Sequence, residues 1–198
     1  MKKSFLFSAV ILLASFGLMA QIPVGTYKEW NKCIDELVVK SAYDFSGRKT
    51  VVILPVETSN VEIPKDKDLK AVVNNTLKTL TKAVADNVQQ NLTKAGYKVV
   101  VGESADYRDP NAIVIQLTWR DMDLGNRALR AWVGFGAGSA SFSTDGVIYD
   151  GDNEVITFSQ RRVSAMDAKQ YEKLAQKGVR EISEDIAKLV LGLCERKR

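Results

Sequence analysis

This 198-residue chain is predicted to adopt an α/β (α+β) fold: a single mixed sheet of about five strands, with two long helices packed on one face. Three observations predict it. The spacing from Thr50 to Val101 reads as strand, helix, strand, a βαβ unit whose strands run parallel. From Ala112 to Val163, apolar residues alternate with polar ones and are punctuated by turn residues, the pattern of an antiparallel meander. Two long stretches, one after Asp66 and one after Ser164, repeat apolar residues at helical spacing.

In chain order, Met1–Ala20 has the anatomy of a secretory signal peptide: Lys2-Lys3, an apolar run from Phe5 to Leu18, then Met19-Ala20 before Gln21. The run is short for a membrane span, so cleavage near Ala20 is the expectation and an uncleaved anchor is the alternative. Residues 21–47 read as an N-terminal helical segment, because Trp30, Ile34, Leu37 and Val38 fall at helical spacing. Residues 48–198 form a single α/β domain in this reading.

Within that domain, Thr50–Val56 is a β-branched run suited to a buried central strand. A long helix follows, started by Asp66 or Asp68. Its stripe is Leu69, Val73, Leu77, Leu80, Val84, Val88 and Leu92, and Gly96 stands where a C-terminal cap belongs. Tyr97–Val101 is a short strand. Ala112–Met122 is the first strand of the meander, with Ile113, Ile115, Leu117 and Trp119 on one face and a tight turn at Asp123-Leu124-Gly125-Asn126. Gly125–Asp150 reads as one long strand with glycine joints at Gly134, Gly136 and Gly138, where missing side chains permit a bend or close backbone approach. Asp150-Gly151-Asp152-Asn153 is a two-residue turn into Glu154–Val163. The last helix begins near the capping-box-like Ser164-Ala165-Met166-Asp167 and runs to about Cys194. Its buried stripe is Tyr171, Leu174, Val179, Ile182, Ile186, Leu189 and Leu193.

The segment GNRALRAWVGFGAGSAS resembles the Gly-Asn-Arg, Arg, Gly-Phe-Gly-Ala-Gly-Ser signature of a bacterial envelope family known as domain of unknown function 4410. The resemblance implies an α/β domain exported across the inner membrane, and it brings no catalytic residues with it. Many members of that family look like lipoproteins. This chain has no cysteine at the expected cleavage point, so its own sequence predicts a periplasmic or secreted protein rather than a lipoprotein.

The glycine series is not a phosphate cradle by context. Such a cradle needs glycines between a strand and a helix N-terminus, and here strand pattern continues on both sides. Histidine is absent, which removes Ser-His and Cys-His nucleophile systems and nearly all zinc sites. The 28 basic residues less Lys2 and Lys3 leave 26 against 24 acidic, about +2, too little to argue for nucleic acid. Asp121 with Asp123, and Asp150 with Asp152, are carboxylate pairs, but each lies at a turn, where aspartate is ordinarily a turn former. No catalytic, cofactor-binding or metal-binding residue is therefore assigned, and no cofactor is expected.

Two features remain. Arg127, Arg130, Arg161 and Arg162 are expected to gather on the outer sheet face with Trp132. With Gly134, Phe135, Gly136 and Gly138, the residues Arg127, Arg130 and Trp132 make the candidate interaction surface, for an envelope protein partner or for self-association. The competing explanation is edge charges that protect the sheet from aggregation. Cys33 and Cys194 stand near the two ends of the mature chain, and either pair as a disulfide or remain two separate thiols. The expected function is that of an exported, non-enzymatic envelope protein acting by protein contact. The alternative is a periplasmic small-ligand or glycan-binding module with its pocket beside Gly134–Ser139.

Overall fold

The computed structural model describes residues 22–30, 33–45, 47–59, 61, 67–102, 104, 110–123, 140–164 and 171–192. Its strands are β1 (Gly25–Trp30), β2 (Ile34–Val39), β3 (Thr50–Ile53), β4 (Lys98–Val101), β5 (Ala112–Asp123), β6 (Ala140–Asp150) and β7 (Asn153–Ser164). The helices are α1 (Lys67–Lys94) and α2 (Tyr171–Leu191). One mixed sheet of seven strands results, in the order β1-β2-β7-β6-β5-β3-β4. The fold class is the predicted one; the strand count is seven rather than about five.

The two additional strands are β1 and β2, which replace the helix predicted in residues 21–47. They pair with each other antiparallel, and β2 joins β7 through Glu36–Val39. Ile34 and Leu37 satisfy a helical interval, and so short an apolar run does not distinguish helix from strand. Pairing decides it: Leu37 and Val39 turn inward opposite Phe158 and Ile156, while Glu36 and Val38 turn outward.

The βαβ unit is as expected. β3 lies parallel to β4 on one side and to β5 on the other, with α1 as the crossover. α1 ends in a Schellman cap: Gly96 has a φ of 87°, its N–H reaches Thr93 O at 3.0 Å, and Tyr97 N–H reaches Leu92 O at 3.0 Å. α2 ends earlier than predicted, at Leu191, because Gly192 (φ 66°) turns the chain and donates to Leu189 O at 3.1 Å.

The β5–β6–β7 meander is present, but its first turn is not where the sequence suggests. Asp123 pairs with Ser141 and Met122 with Phe142, so the register is not set by a tight turn at Asp123–Asn126. Residues 124–139, including most of the expected long strand, lie outside the described residues. The second turn is as predicted: Asp150 pairs with Asn153, and Gly151 takes a φ of 58°.

Both helices cover the same face. Ile113, Ile115, Leu117 and Trp119 of β5 enter the core there, with Leu80, Val84, Val88 and Leu92 of α1 and Val179, Ile182, Ile186 and Leu189 of α2. A continuous line of contacts fastens the layers. Trp119 Nε1 donates to Thr81 Oγ1 at 3.0 Å, its ring meets Phe142 edge-on at 6.0 Å, and the Phe142 ring rests on Gly178 of α2. Gly178 leaves room for that ring, since a Cβ there would lie 2.1 Å from Phe142 Cζ and the ring would have to shift. Gly146 meets the same demand on β6, where a Cβ would lie 2.0 Å from Phe158 Cζ. In both places a glycine makes the seat for an aromatic ring.

Candidate functional site

The opposite face of the sheet divides in two. Beneath β3 and the start of β5, Val52, Leu54, Ala112 and Val114 form a second buried apolar cluster with Val100 and Tyr149. Across β5, β6, β7 and β2 the surface turns polar. Asp145, Ser159 and Glu36 stand side by side in one row across three strands, because Asp145 pairs with Ser159 and Ser159 with Glu36. Adjacent members of such a row lie about 5 Å apart.

Arg120 joins this row through a bulge. Register shifts between Trp119 and Asp121, which leaves Arg120 as the extra residue of β5 and aims it at β6. Its Nε donates to Asp145 Oδ2 at 2.7 Å and its Nη2 to Asp145 Oδ1 at 2.6 Å, a bidentate pair. Between this pair and Glu36 lies a depression of about 290 Å³, open to solvent on one side and lined also by Val38, Val147, Thr157 and Ser159. Nothing in the sequence pointed to it: the strand alternation places Arg120 outward, but the bulge and the partner strand are tertiary facts.

Arg161 and Arg162 separate, contrary to the expected outer-face cluster. Neighbours on a strand point to opposite faces. Arg161 stays outside, with its Nη2 on Ser141 Oγ at 3.2 Å. Arg162 turns to the helix side, where its Nη2 meets Asp185 Oδ2 of α2 at 2.6 Å. There Gln160 donates to Cys33 O and, at 3.3 Å, to Asp185 Oδ2, while Lys188 Nζ reaches Asp185 Oδ1 at 3.0 Å. The hydrogen bond to Asp185 raises the Lys188 pKa above its ordinary value against the opposing effect of burial. This network ties the β1–β2 turn, β7 and α2 together and is a structural clamp.

The remaining predicted residues divide as follows. Arg127, Arg130, Trp132, Gly134, Phe135, Gly136 and Gly138 lie outside the described residues, in the connection between Asp123 and Ala140. Cys33 is buried and has no disulfide partner among the described residues, and Cys194 lies outside them. Asp150 accepts from Arg48 Nη2 at 2.8 Å, and Asp121 lies opposite Ser143. Tyr43 packs edge-on against Phe45 with Arg48 over its ring, and its hydroxyl is buried with no hydrogen-bond partner among the described residues. Burial, reinforced by Asp150 and Asp44 and only partly offset by Arg48, pushes its pKa up to about 12. Among the described residues no group of three histidine, cysteine, aspartate or glutamate side chains gathers to hold a metal ion.

The fold is thus a sheet roofed on one side by two helices, with a polar depression on the other. The chain belongs to the family described as Domain of unknown function (DUF4410), which matches residues 51–182. The β1–β2 hairpin precedes the matched region. Several solved structures are similar. A PelC dodecamer from Paraburkholderia phytofirmans is 10% identical, with 75% of this chain and 96% of that chain covered and a TM-score of 0.43. A homologue of the neuraminyllactose-binding hemagglutinin from Helicobacter pylori is 14% identical, covering 74% and 88% with a TM-score of 0.43. A DUF330 protein from Xanthomonas campestris is 10% identical, covering 73% and 86% with a TM-score of 0.39. No curated protein matches the chain. No helix among the described residues is long and apolar enough to cross a membrane.

Proposed function

We propose that this chain is an exported, non-enzymatic protein of the cell envelope that acts by contact with another envelope protein or with further copies of itself. The observation that carries the reading is at the end of the sheet where β5 stops, β6 starts and β7 stops. There Val163, on the outer face, is 60% exposed, beside Arg161 and opposite Ser141. Ser141 itself is buried, so the exposed pair there is Val163 with Arg161, an apolar residue beside a cation of a type found in contact surfaces. The chain between Asp123 and Ala140, which carries Arg127, Arg130 and Trp132, leaves from and returns to this same end. The lack of histidine in the whole chain supports a role outside catalysis.

Photocrosslinking tests this. A photoreactive residue in place of Val163 or Trp132 is expected to give a discrete protein adduct in intact cells, and Arg130→Glu to diminish it. The same probe at Lys82, 77% exposed on α1, is expected to give none. Equal labelling from all three positions, or none from Val163 and Trp132, overturns the reading.

Export rests on Met1–Ala20, and the test is the N-terminus of the protein recovered from the periplasm, expected near Gln21. Recovery of the intact Met1 form in the cytoplasm refutes it. In the same compartment we propose that Cys33 pairs with Cys194. The two thiols give up two protons and two electrons to a protein disulfide of the export compartment. The motive is that Gln160 connects the Cys33 carbonyl to Asp185 on α2, the helix whose last described residues precede Cys194. The unreduced protein is expected to show no titratable thiol; two titratable thiols would refute the pairing.

A further inference from the structure

We infer that the depression between Arg120–Asp145 and Glu36 binds a neutral sugar, one or two pyranose rings in size. This goes beyond the protein contact proposed above and rests on different residues. Three features of the site define the class of ligand.

The first is size. About 290 Å³ lies just under the ~300 to 1,000 Å³ of small-molecule sites, which limits the ligand to a small one. The second is charge balance. Asp145 is matched by Arg120, and Glu36 stands opposite Lys28 of β1 in the register of the hairpin. A strongly anionic or cationic ligand would meet as much repulsion as attraction there, whereas a neutral ligand does not.

The third is the arrangement of groups. Asp145 and Glu36 supply carboxylate acceptors from opposite walls. Arg120 supplies fixed donors, and Ser159 lies between them with a hydroxyl that serves as either. Val38 and Val147 present apolar surface beside them. A pyranose has this dual character, with hydroxyls around its rim and C–H groups on its faces. The bidentate pairing fixes both the Asp145 carboxylate and the Arg120 guanidinium before a ligand arrives, which reduces the ordering cost of binding.

The test is a titration of the ¹⁵N-labelled protein with a panel of neutral mono- and disaccharides, including cellobiose and di-N-acetylchitobiose, and with spermidine and citrate as charged probes. The expected result is that a neutral sugar shifts the amides of Val38, Val147, Thr157 and Ser159 and leaves those of α1 unmoved. Asp145→Asn is expected to weaken that binding about tenfold, and Ser159→Ala about threefold, the ordinary worth of a charged and of a neutral hydrogen bond. Ser159→Ala keeps the test decisive if Asp145→Asn disturbs β6. Four results overturn the inference: no shift with any sugar, shifts scattered over both helices, unchanged affinity in both variants, or tighter binding of spermidine or citrate at the same amides. Failure of the protein contact is read separately, because crosslinking from Val163 does not depend on Asp145.

Discussion

Two arginine–aspartate pairs with the same 2.6 Å contact lie on opposite faces of this sheet and have different consequences. Arg162–Asp185 lies between β7 and α2, with side-chain exposures of 22% and 11%. Arg120–Asp145 lies on the uncovered face, with exposures of 59% and 34%. Beneath the helices the attraction is weakly screened, and Asp185 is held at the same time by Arg162, Lys188 and Gln160. On the open face water competes for every hydrogen bond, and surface pairs contribute little to stability. The helix-covered face therefore carries most of the fold, while on the other face the polar part across β2, β7, β6 and β5, away from the Val52–Val114 cluster, is free to carry binding.

The largest expected effects that sharpen this comparison come from the glycine seats on the covered face. Gly178→Ala and Gly146→Ala should each cost about 3 kcal/mol, because the new methyl overlaps a buried ring that has little room to withdraw. Urea unfolding measures this, and a cost near zero would mean that Phe142 or Phe158 is loosely held.

Next is alkaline pH. Tyr43 in the folded protein ionises at about 12 against an ordinary value of 10.0. Below pH 10 both states keep the phenol neutral and the stability is intact. From pH 10 to 12 the unfolded chain loses its proton first, so about 2–3 kcal/mol should be lost across that window. Tyr43→Phe should remove that part of the pH dependence with little cost at neutral pH, since the hydroxyl has no partner among the described residues. Parallel alkaline unfolding curves for the two proteins would contradict this.

Smaller again, Asp185→Asn should cost about 2 kcal/mol, below the range for breaking a fully buried pair because Arg162 is partly exposed. A double-mutant cycle on Arg162 and Asp185 checks it. The corresponding cycle on Arg120 and Asp145 should give a coupling under about 1 kcal/mol.

The covered face was also the face that the sequence disclosed. The stripes of α1 and α2, and the row Ile113, Ile115, Leu117 and Trp119 of β5, are periodic, and periodicity survives without knowledge of neighbours. Gly96 was legible as a cap, because a terminating glycine acts locally. What failed depends on a partner strand. Ile34 and Leu37 look helical until Ile34 pairs with Trp30 of β1 and Leu37 with Phe158 of β7, and the register of Asp123 with Ser141 cannot be read from a turn motif alone. The depression was invisible for the same reason, since Arg120, Asp145, Ser159 and Glu36 come from four different strands. Arg161 and Arg162 fall on opposite faces because strand alternation separates adjacent residues, so an arginine doublet in a strand does not make an outer-face cluster.

The division of labour between the faces is tested most directly by chemical unfolding of the double variant Arg120→Ala/Asp145→Ala alongside Gly178→Ala. The expected result is that the open-face variant unfolds within about 1 kcal/mol of the parent protein while Gly178→Ala is clearly destabilised. Equal losses in the two would show that the uncovered face bears the fold as much as the covered one does, and would contradict the division.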